Sequence, residues 1–354
     1  MLKTLDVENV RCVERAQLEF DPRATAIVGP NASGKTSLLE AIYFLGHGRS
    51  FRAVQREKVI RVGAPFLRLV AWAQGPAGAT VVGVECDSNG IQAHLGGREL
   101  SGFSEIADLI PIQVIGPGVH RLIEEGSARR RRLLDWGVFH VKHDFLHAWR
   151  RYQRALHQRN AALRGNAPYP MVAIWDTELD NCAAIVDAYR NAYLDLFGPE
   201  FATWTSQLVG SHVGLEYRRG WRKDLTLAEA LVEARERDRR LRTTSVGPHR
   251  ADLVFTIDGT PARDHVSRGQ QKMLASALVL AHIALRAVTA ERPTCLLLDD
   301  PAAELDVDNL GKLLGALEQI PAQLIVTAVS EEGLRGLPVF RRFHVEQGRV
   351  RPML

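Results

Sequence analysis

The sequence predicts an α/β fold: a mixed β-region plus a parallel sheet with flanking helices, interrupted by a long, mainly α-helical arm. Three observations predict it. Short β-type runs crowd the chain up to "PIQVIG", which ends at Gly116. A helical texture fills Leu122 to Arg242. After Ser245, strands and helices alternate in the way that gives a parallel sheet. The expected division is therefore 1–118 and 247–354 as one discontinuous head, with 119–246 inserted as the arm.

Each element has a local reason. "LKTLDVENV", "AQLEF", "TAIVG", "FLRLVAWA", "TVVGVEC", "IQAHLGG" and "PIQVIG" read as strands, with "GPAG" and "SNG" as turns between them. "TSLLEAIYFLG" is built from good helix formers and ends at Gly46, the expected C-cap. In the insert, one helix is expected to open at Asp144 as N-cap and stop at Gly165 with Pro168 beyond. "TLAEALVEARERDRRLR" reads as a second helix. "ADLVFTIDG", "TCLLLDD" and "QLIVTAVS" read as strands, and "VSRGQQKMLASALVLAHIALRAV" as a turn feeding a long apolar helix. Its apolar stretch, Met273 to Val288, is interrupted by His282 and Arg286 and is short for a membrane span, so a buried helix is expected.

Bulk properties narrow the class. The 354 residues are 46% hydrophobic and 24% charged, ordinary for a globular protein with ample core. Cys12, Cys86, Cys182 and Cys295 form no CxxC pair, which points away from a zinc site or disulfide framework and towards a reducing cytoplasm. The N-terminus has no signal-peptide shape. Net charge is only +4, but Arg129 to Arg164 holds ten basic and two acidic residues. Such a stripe is the footprint of a polyanion partner or a solvated helical face.

"GPNASGKT", Gly29 to Thr36, fits the P-loop pattern G-x-x-x-x-G-K-[ST], with an apolar strand before it and a helix after it. Gly29 and Gly34 let backbone approach phosphate oxygens, and free amides with the helix dipole favour an anion. The loop residues Pro30, Asn31, Ala32 and Ser33, with Ser37 after it, complete the expected nucleotide cradle. Lys35 would reach the β- and γ-phosphates, and Thr36 would bind Mg²⁺. A P-loop enzyme also needs an acid at the end of a hydrophobic strand, and "CLLLDD" supplies Asp299 for the metal sphere. Asp300, one residue on, is placed to polarise an attacking water as general base. A third piece, "SRGQQK" from Ser267 to Lys272, puts a small polar residue, a glycine and glutamines at a helix N-terminus.

These pieces, in this order, resemble ABC-type ATPase heads, in the branch shared with SMC proteins. "LEAIYFLGHGRSFR", "RRRRLLDWGVFH", "QRNAALR", "RDRRLRTTSVGPHRADL" and "SRGQQKMLASAL" carry the resemblance further, to the RecF family of recombination mediators, over nearly the whole chain. The resemblance implies that Gln113 is the Q-loop glutamine linking metal and water. It implies that Ser267, Arg268, Gly269 and Gln270 form the signature that closes over the γ-phosphate of a second copy. Asp306 becomes the D-loop aspartate at that seam. ATP and Mg²⁺ are the implied cofactors, with an ATP-dependent homodimer as the working species. Double-stranded and gapped DNA, RecR and, indirectly, RecO and RecA are the implied partners. Roles in DNA repair, recombination, replication and the SOS response follow, in the cytoplasm and away from any membrane.

Three departures qualify the match. Ala32 stands where glycine is usual, so its φ must be negative or strained. Arg268 replaces a second signature glycine. Thr327 and Ala328 stand where many relatives have a switch histidine, and loss of such a donor typically costs about 10²–10³ in rate. Slow turnover, as in a timed switch, is expected. DNA contacts are expected from Arg49 and Arg52 beside the P-loop helix and from Arg129, Arg130, Arg131, Arg132, Arg150, Arg151 and Arg154 in the arm. They should touch phosphates rather than base edges. For any of these arginines the alternative is a partner inside the protein. Two other readings share the ATPase motifs. One is the nucleotide-binding subunit of an ABC transporter, disfavoured by the 231 positions between Thr36 and Ser267. The other is a non-hydrolysing, ATP-gated scaffold.

Overall fold

The computed structural model describes residues 1–76, 78–142, 144–290 and 293–353. The expected "GPAG" turn includes Ala77, which lies outside the described residues. The chain divides into two compact units, 1–119 with 291–354, and 120–290.

The first unit holds two six-stranded sheets. One is antiparallel, in the order Val13–Glu19, Leu2–Val10, Phe66–Gly75, Gly78–Asp87, Ile91–Leu95, Arg98–Leu100. Its strands alternate as half-buried strands do: Leu67, Leu69, Ala71 and Ala73 point into the core from Phe66–Gly75. A register shift at Leu2/Thr4 lets both Leu2 and Leu5 face inward, as a bulge does. The other sheet runs Arg349–Met353, Arg341–Glu346, Ala24–Val28, Ala322–Ala328, Thr294–Asp299, Ile112–Ile115. All its neighbours are parallel except the antiparallel edge strand Arg349–Met353. Two of its inner strands, Ala24–Val28 and Thr294–Asp299, are buried along their whole length, which is why "TAIVG" and "TCLLLDD" read as continuous apolar runs.

The helix Lys35–His47 shares one core with both sheets. Leu38, Leu39, Ile42 and Leu45 cluster with Leu5 and Leu69 of the antiparallel sheet and with Ile27, Leu297 and Ile325 of the mixed one. Each such side chain contributes roughly 1.5–3 kcal/mol on burial, so this helix is held by packing far more than by its own propensity. It runs two residues past the expected stop. Gly46 lies inside it, and Gly48, at φ 63, is the C-cap.

The second unit is built on the 33-residue helix Asp176–Leu208, which packs on Phe145–Arg164 and on Arg268–Ala290. Tyr152, Leu156, Leu179, Cys182, Leu227 and Leu231 form a common core. Arg159 is fully buried and held by Asp176 and Asp238, each at 2.8 Å, and by the Thr244 hydroxyl at 2.9 Å. Val213–Arg218 is a strand that the helical texture hid; it pairs antiparallel with Asp252–Ile257. That pairing ties residues after 246 to the arm. The helix Arg268–Ala290 does the same by burying its apolar face within this unit, so the division falls at 290/291 where the sequence reading put it at 246/247.

The same helix, 23 residues long, is by length and composition apolar enough to cross a bilayer, yet 78% of its most apolar window is buried within the protein. Local caps also differ from expectation. Asp144 adopts helical geometry and makes no side-chain cap. The segment after Thr226 is two short helices, Leu227–Glu233 and Arg235–Leu241, the first opened by a Thr226/Glu229 capping box. The T-x-x-E spacing of "TLAE" is the signal that announces it.

Candidate active site

Within the first unit the strand Ala24–Val28 delivers the loop 29–34 to the N-terminus of the helix Lys35–His47. Gly29 is required sterically, since a Cβ there would stand 2.1 Å from the Val345 carbonyl oxygen. Gly34 has φ 117, where side chains are strained. Ala32 has φ 61: the strained alternative is the one adopted, in a region that costs an L-residue about 1–2 kcal/mol. The amide of Gly348, in the hairpin turn after Arg341–Glu346, donates to the Ser33 carbonyl at 2.8 Å and pins the loop from the side.

Lys35 is buried, and its ammonium donates to the carbonyls of Gly29 at 2.6 Å and Pro30 at 2.9 Å. Burial lowers its pKa, while the carboxylates of Asp300 and Asp299 oppose that shift. Thr36 Oγ1 donates to Asp299 Oδ1 at 2.9 Å, across 263 positions of sequence. Thr327 lies beside Asp299 in parallel register. Its hydroxyl donates to Asp299 Oδ1 at 2.9 Å and accepts the Asp300 amide at 2.9 Å. Asp300 itself sits at φ 46, turned out of the strand by a left-handed backbone. Burial raises its pKa; Lys35 works against that rise and Asp299 adds to it.

The residues fit a nucleotide with a hard divalent cation. Thr36 and Asp299 converge oxygen donors of the kind Mg²⁺ takes. Ser33 Oγ is buried without a hydrogen-bond partner, as an unmatched hydroxyl in a phosphate cradle would be. Gln113 is buried on Ile112–Ile115, next to Leu296 in register, on the strand flanking the acid strand. Thr327 and Gly348 were not among the candidate residues; one acts through its hydroxyl and the other through its backbone amide, on partners that sequence separation conceals.

The signature segment belongs to the second unit. Ser267 and Gln270 form a reciprocal cap: the Ser267 amide donates to Gln270 Oε1 at 3.0 Å, and the Gln270 amide to Ser267 Oγ at 3.3 Å. Arg268 is exposed, its side chain 77% accessible, and lies 3.8 Å from Glu124 Oε1 at ion-pair distance. Asp306 N-caps the helix Val307–Gln319, accepting from the Asn309 amide at 2.9 Å, and these hydrogen bonds lower its pKa.

The basic stripe is not one surface. Arg130 is buried; it pairs with Asp252 at 2.7 and 3.0 Å and donates to the carbonyls of Leu122, Ile123 and Glu125. Its guanidinium is spent on folding the arm, which removes it as a DNA contact. Arg131 is half-buried on the Ala251 carbonyl at 2.6 Å. Arg129 pairs with Glu125, and Arg151 with Glu178 at 2.9 and 3.0 Å. Arg132, Arg150 and Arg154 are exposed, as are Arg49 and Arg52 in the first unit.

Fold and site define a P-loop ATPase head of the SMC type carrying an inserted unit. The family model described as RecF/RecN/SMC N terminal domain matches residues 1–350. The chain is 38% identical over 358 residues to the DNA replication and repair protein RecF of Stutzerimonas stutzeri (strain A1501), covering 99% of this chain and 96% of that one. It is 35% identical over 356 residues to the protein of that name from Thioalkalivibrio sulfidiphilus (strain HL-EbGR7), covering 99% of each. Among solved structures, the recombination mediator protein RecF-ATP in the RecFOR pathway matches with a TM-score of 0.89 at 24% identity, over 100% of this chain and 97% of that one. The SMC head bound to the C-winged helix domain of ScpA matches at 0.60 and 15% identity, over 99% and 96%. The chain belongs to the RecF family.

Proposed function

We propose that this protein is an ATP-dependent, DNA-binding recombination mediator that uses slow ATP hydrolysis as a switch. The observation that carries the reading is the bond from Thr36 to Asp299, which joins the P-loop to the acid strand with Asp300 and Lys35 beside them. Lys35 would release the loop carbonyls and neutralise the β- and γ-phosphates. Thr36, Asp299 and Gln113 would hold Mg²⁺, which when bound lowers the charge of the phosphate oxygens. Asp300 would accept the proton of the attacking water. Thr327 fixes both acids from a position where many ATPases of this type have a switch histidine, which suits slow turnover.

Ser267, Arg268, Gly269 and Gln270 of a second copy would complete each site, with Asp306 at the seam. ATP would thereby join two copies around duplex DNA near a single-strand/duplex boundary, and hydrolysis would release it. The names of the relatives, a DNA replication and repair protein and a recombination mediator of the RecFOR pathway, support work on DNA alongside RecR and RecO; loading of RecA on gapped DNA in the cytoplasm would be the outcome of that work. Of the arginines first considered, Arg49, Arg52, Arg132, Arg150 and Arg154 remain the exposed candidates for phosphate contact.

Sedimentation of the purified chain with ATP and Mg²⁺, without them, and with added gapped DNA tests the reading. The mass should double with ATP, and Lys35→Met or Ser267→Arg should abolish the doubling. A solitary protomer hydrolysing ATP at the full rate would overturn it.

A further inference from the structure

Glu40 lies on the helix that follows the P-loop, and its side chain is fully buried. Its two oxygens serve two different loops. Arg11, in the turn between the first two strands, donates from Nε at 2.9 Å and from Nη2 at 2.8 Å. From the other side Ser50 Oγ donates to Oε1, and the Arg52 guanidinium lies 3.9 Å from Oε2. Ser50 Oγ also accepts the amides of Arg52 and Ala53, each at 2.8 Å. The 50–53 segment is thus fastened to the helix through one hydroxyl on one carboxylate.

The Arg11 side leads to the nucleotide loop. Arg11 has φ 53, so its turn is held in a strained backbone. The next residue, Cys12, brings Sγ within 3.8 Å of Ser37 Oγ and would be the first atom met by a Cβ at Gly34. The two arginines are held unequally. Arg11 makes a bidentate, charge-assisted pair, whereas Arg52 is half-exposed at ion-pair distance and open to a competing anion.

We infer that Glu40 is a positioning residue that couples DNA capture by the Arg49–Arg52 loop to nucleotide held at the P-loop. The inference rests on the DNA reading proposed above. A DNA phosphate that draws Arg52 away leaves Glu40 shared between Arg11 and Ser50, which tightens the Arg11–Cys12 turn on Gly34 and Ser37. By linkage, nucleotide that fixes this turn favours DNA by the same factor.

The test measures ATP affinity with and without gapped duplex DNA, in the full chain carrying Asp300→Asn to suppress hydrolysis. DNA should raise ATP affinity by at least about 5-fold. Ser50→Ala should bring that factor close to one, leaving ATP affinity without DNA and the salt slope of DNA binding unchanged. Glu40→Gln should also bring it close to one and, because it weakens the Arg11 pair behind the turn on Gly34 and Ser37, should lower ATP affinity without DNA as well. Arg52→Ala should instead lower the salt slope by about 0.9. Should Glu40→Gln fail to fold because Arg11 loses its charge partner, Ser50→Ala carries the test, since it leaves the Arg11–Glu40 pair intact. Undiminished coupling in Ser50→Ala, with a reduced slope in Arg52→Ala, overturns the inference alone. An unchanged slope in both Arg49→Ala and Arg52→Ala overturns the DNA reading and the inference with it.

Discussion

Asp300 shows how one residue's position sets a measurable chemistry. A left-handed backbone at the end of a buried strand turns its carboxyl away from the strand, and burial raises its pKa above the ordinary 3.8. A general base must be ionised, so ATP hydrolysis should fall as pH drops through that raised pKa, higher than an exposed carboxylate would give. The sign for stability is opposite. An acid whose folded pKa is raised makes the fold gain stability as pH falls from above that value towards 3.8. Asp300→Asn should abolish turnover while retaining ATP-driven dimers, read by steady-state hydrolysis and sedimentation. A non-hydrolysing scaffold would show no change. The arginines teach the complementary lesson. "RRRR" at 129–132 reads as four equivalent cations, yet one is buried on Asp252, one half-buried on a carbonyl, one paired with Glu125 and one exposed. Which of four neighbours faces inward depends on partners as far as 122 positions away.

At the scale of elements, helix termini do the positioning. The signature segment is a capping box before it is anything else: Ser267 and Gln270 satisfy each other's amides at the start of Arg268–Ala290. Ser267→Ala should therefore lower stability by about 1 kcal/mol through the lost cap, measurable by urea denaturation without nucleotide. Ser267→Arg removes the same cap, so its further loss of ATP-driven dimers isolates the functional contribution of the serine. Elements with strong local patterns were legible from sequence. The P-loop strand and helix, the alternating strands of the antiparallel sheet and the apolar acid strand all lie where the reading put them, within a few residues. Val213–Arg218 was not legible, because "VGLEYR" is a short, half-exposed strand whose partner is nearly 40 residues away. The Asp144 cap failed for a related reason: a good N-cap residue caps only if its backbone leaves the helical region, and here it does not.

For the whole molecule, the chain's division into units carries its own test. If Asp252–Ile257 and Arg268–Ala290 belong with the arm, their amides should exchange hydrogen together with Val213–Arg218 and Asp176–Leu208. They should not follow Thr294–Asp299. The sequence by itself determined the class of fold, the strand, loop and helix around Gly29–Thr36, the strand ending in Asp299 and the family resemblance. Those features are local: each is written in a few consecutive residues whose periodicity or spacing has one physical solution. Tertiary structure alone decided that Thr327 would tie Asp299 to Asp300, that Arg130 would turn inward, that Glu40 would join two loops, and that 247–290 would fold with the arm. Each of those depends on a hydrogen bond or a packed face between distant segments, and their meeting is fixed by burial of the whole core, not by any neighbour in sequence.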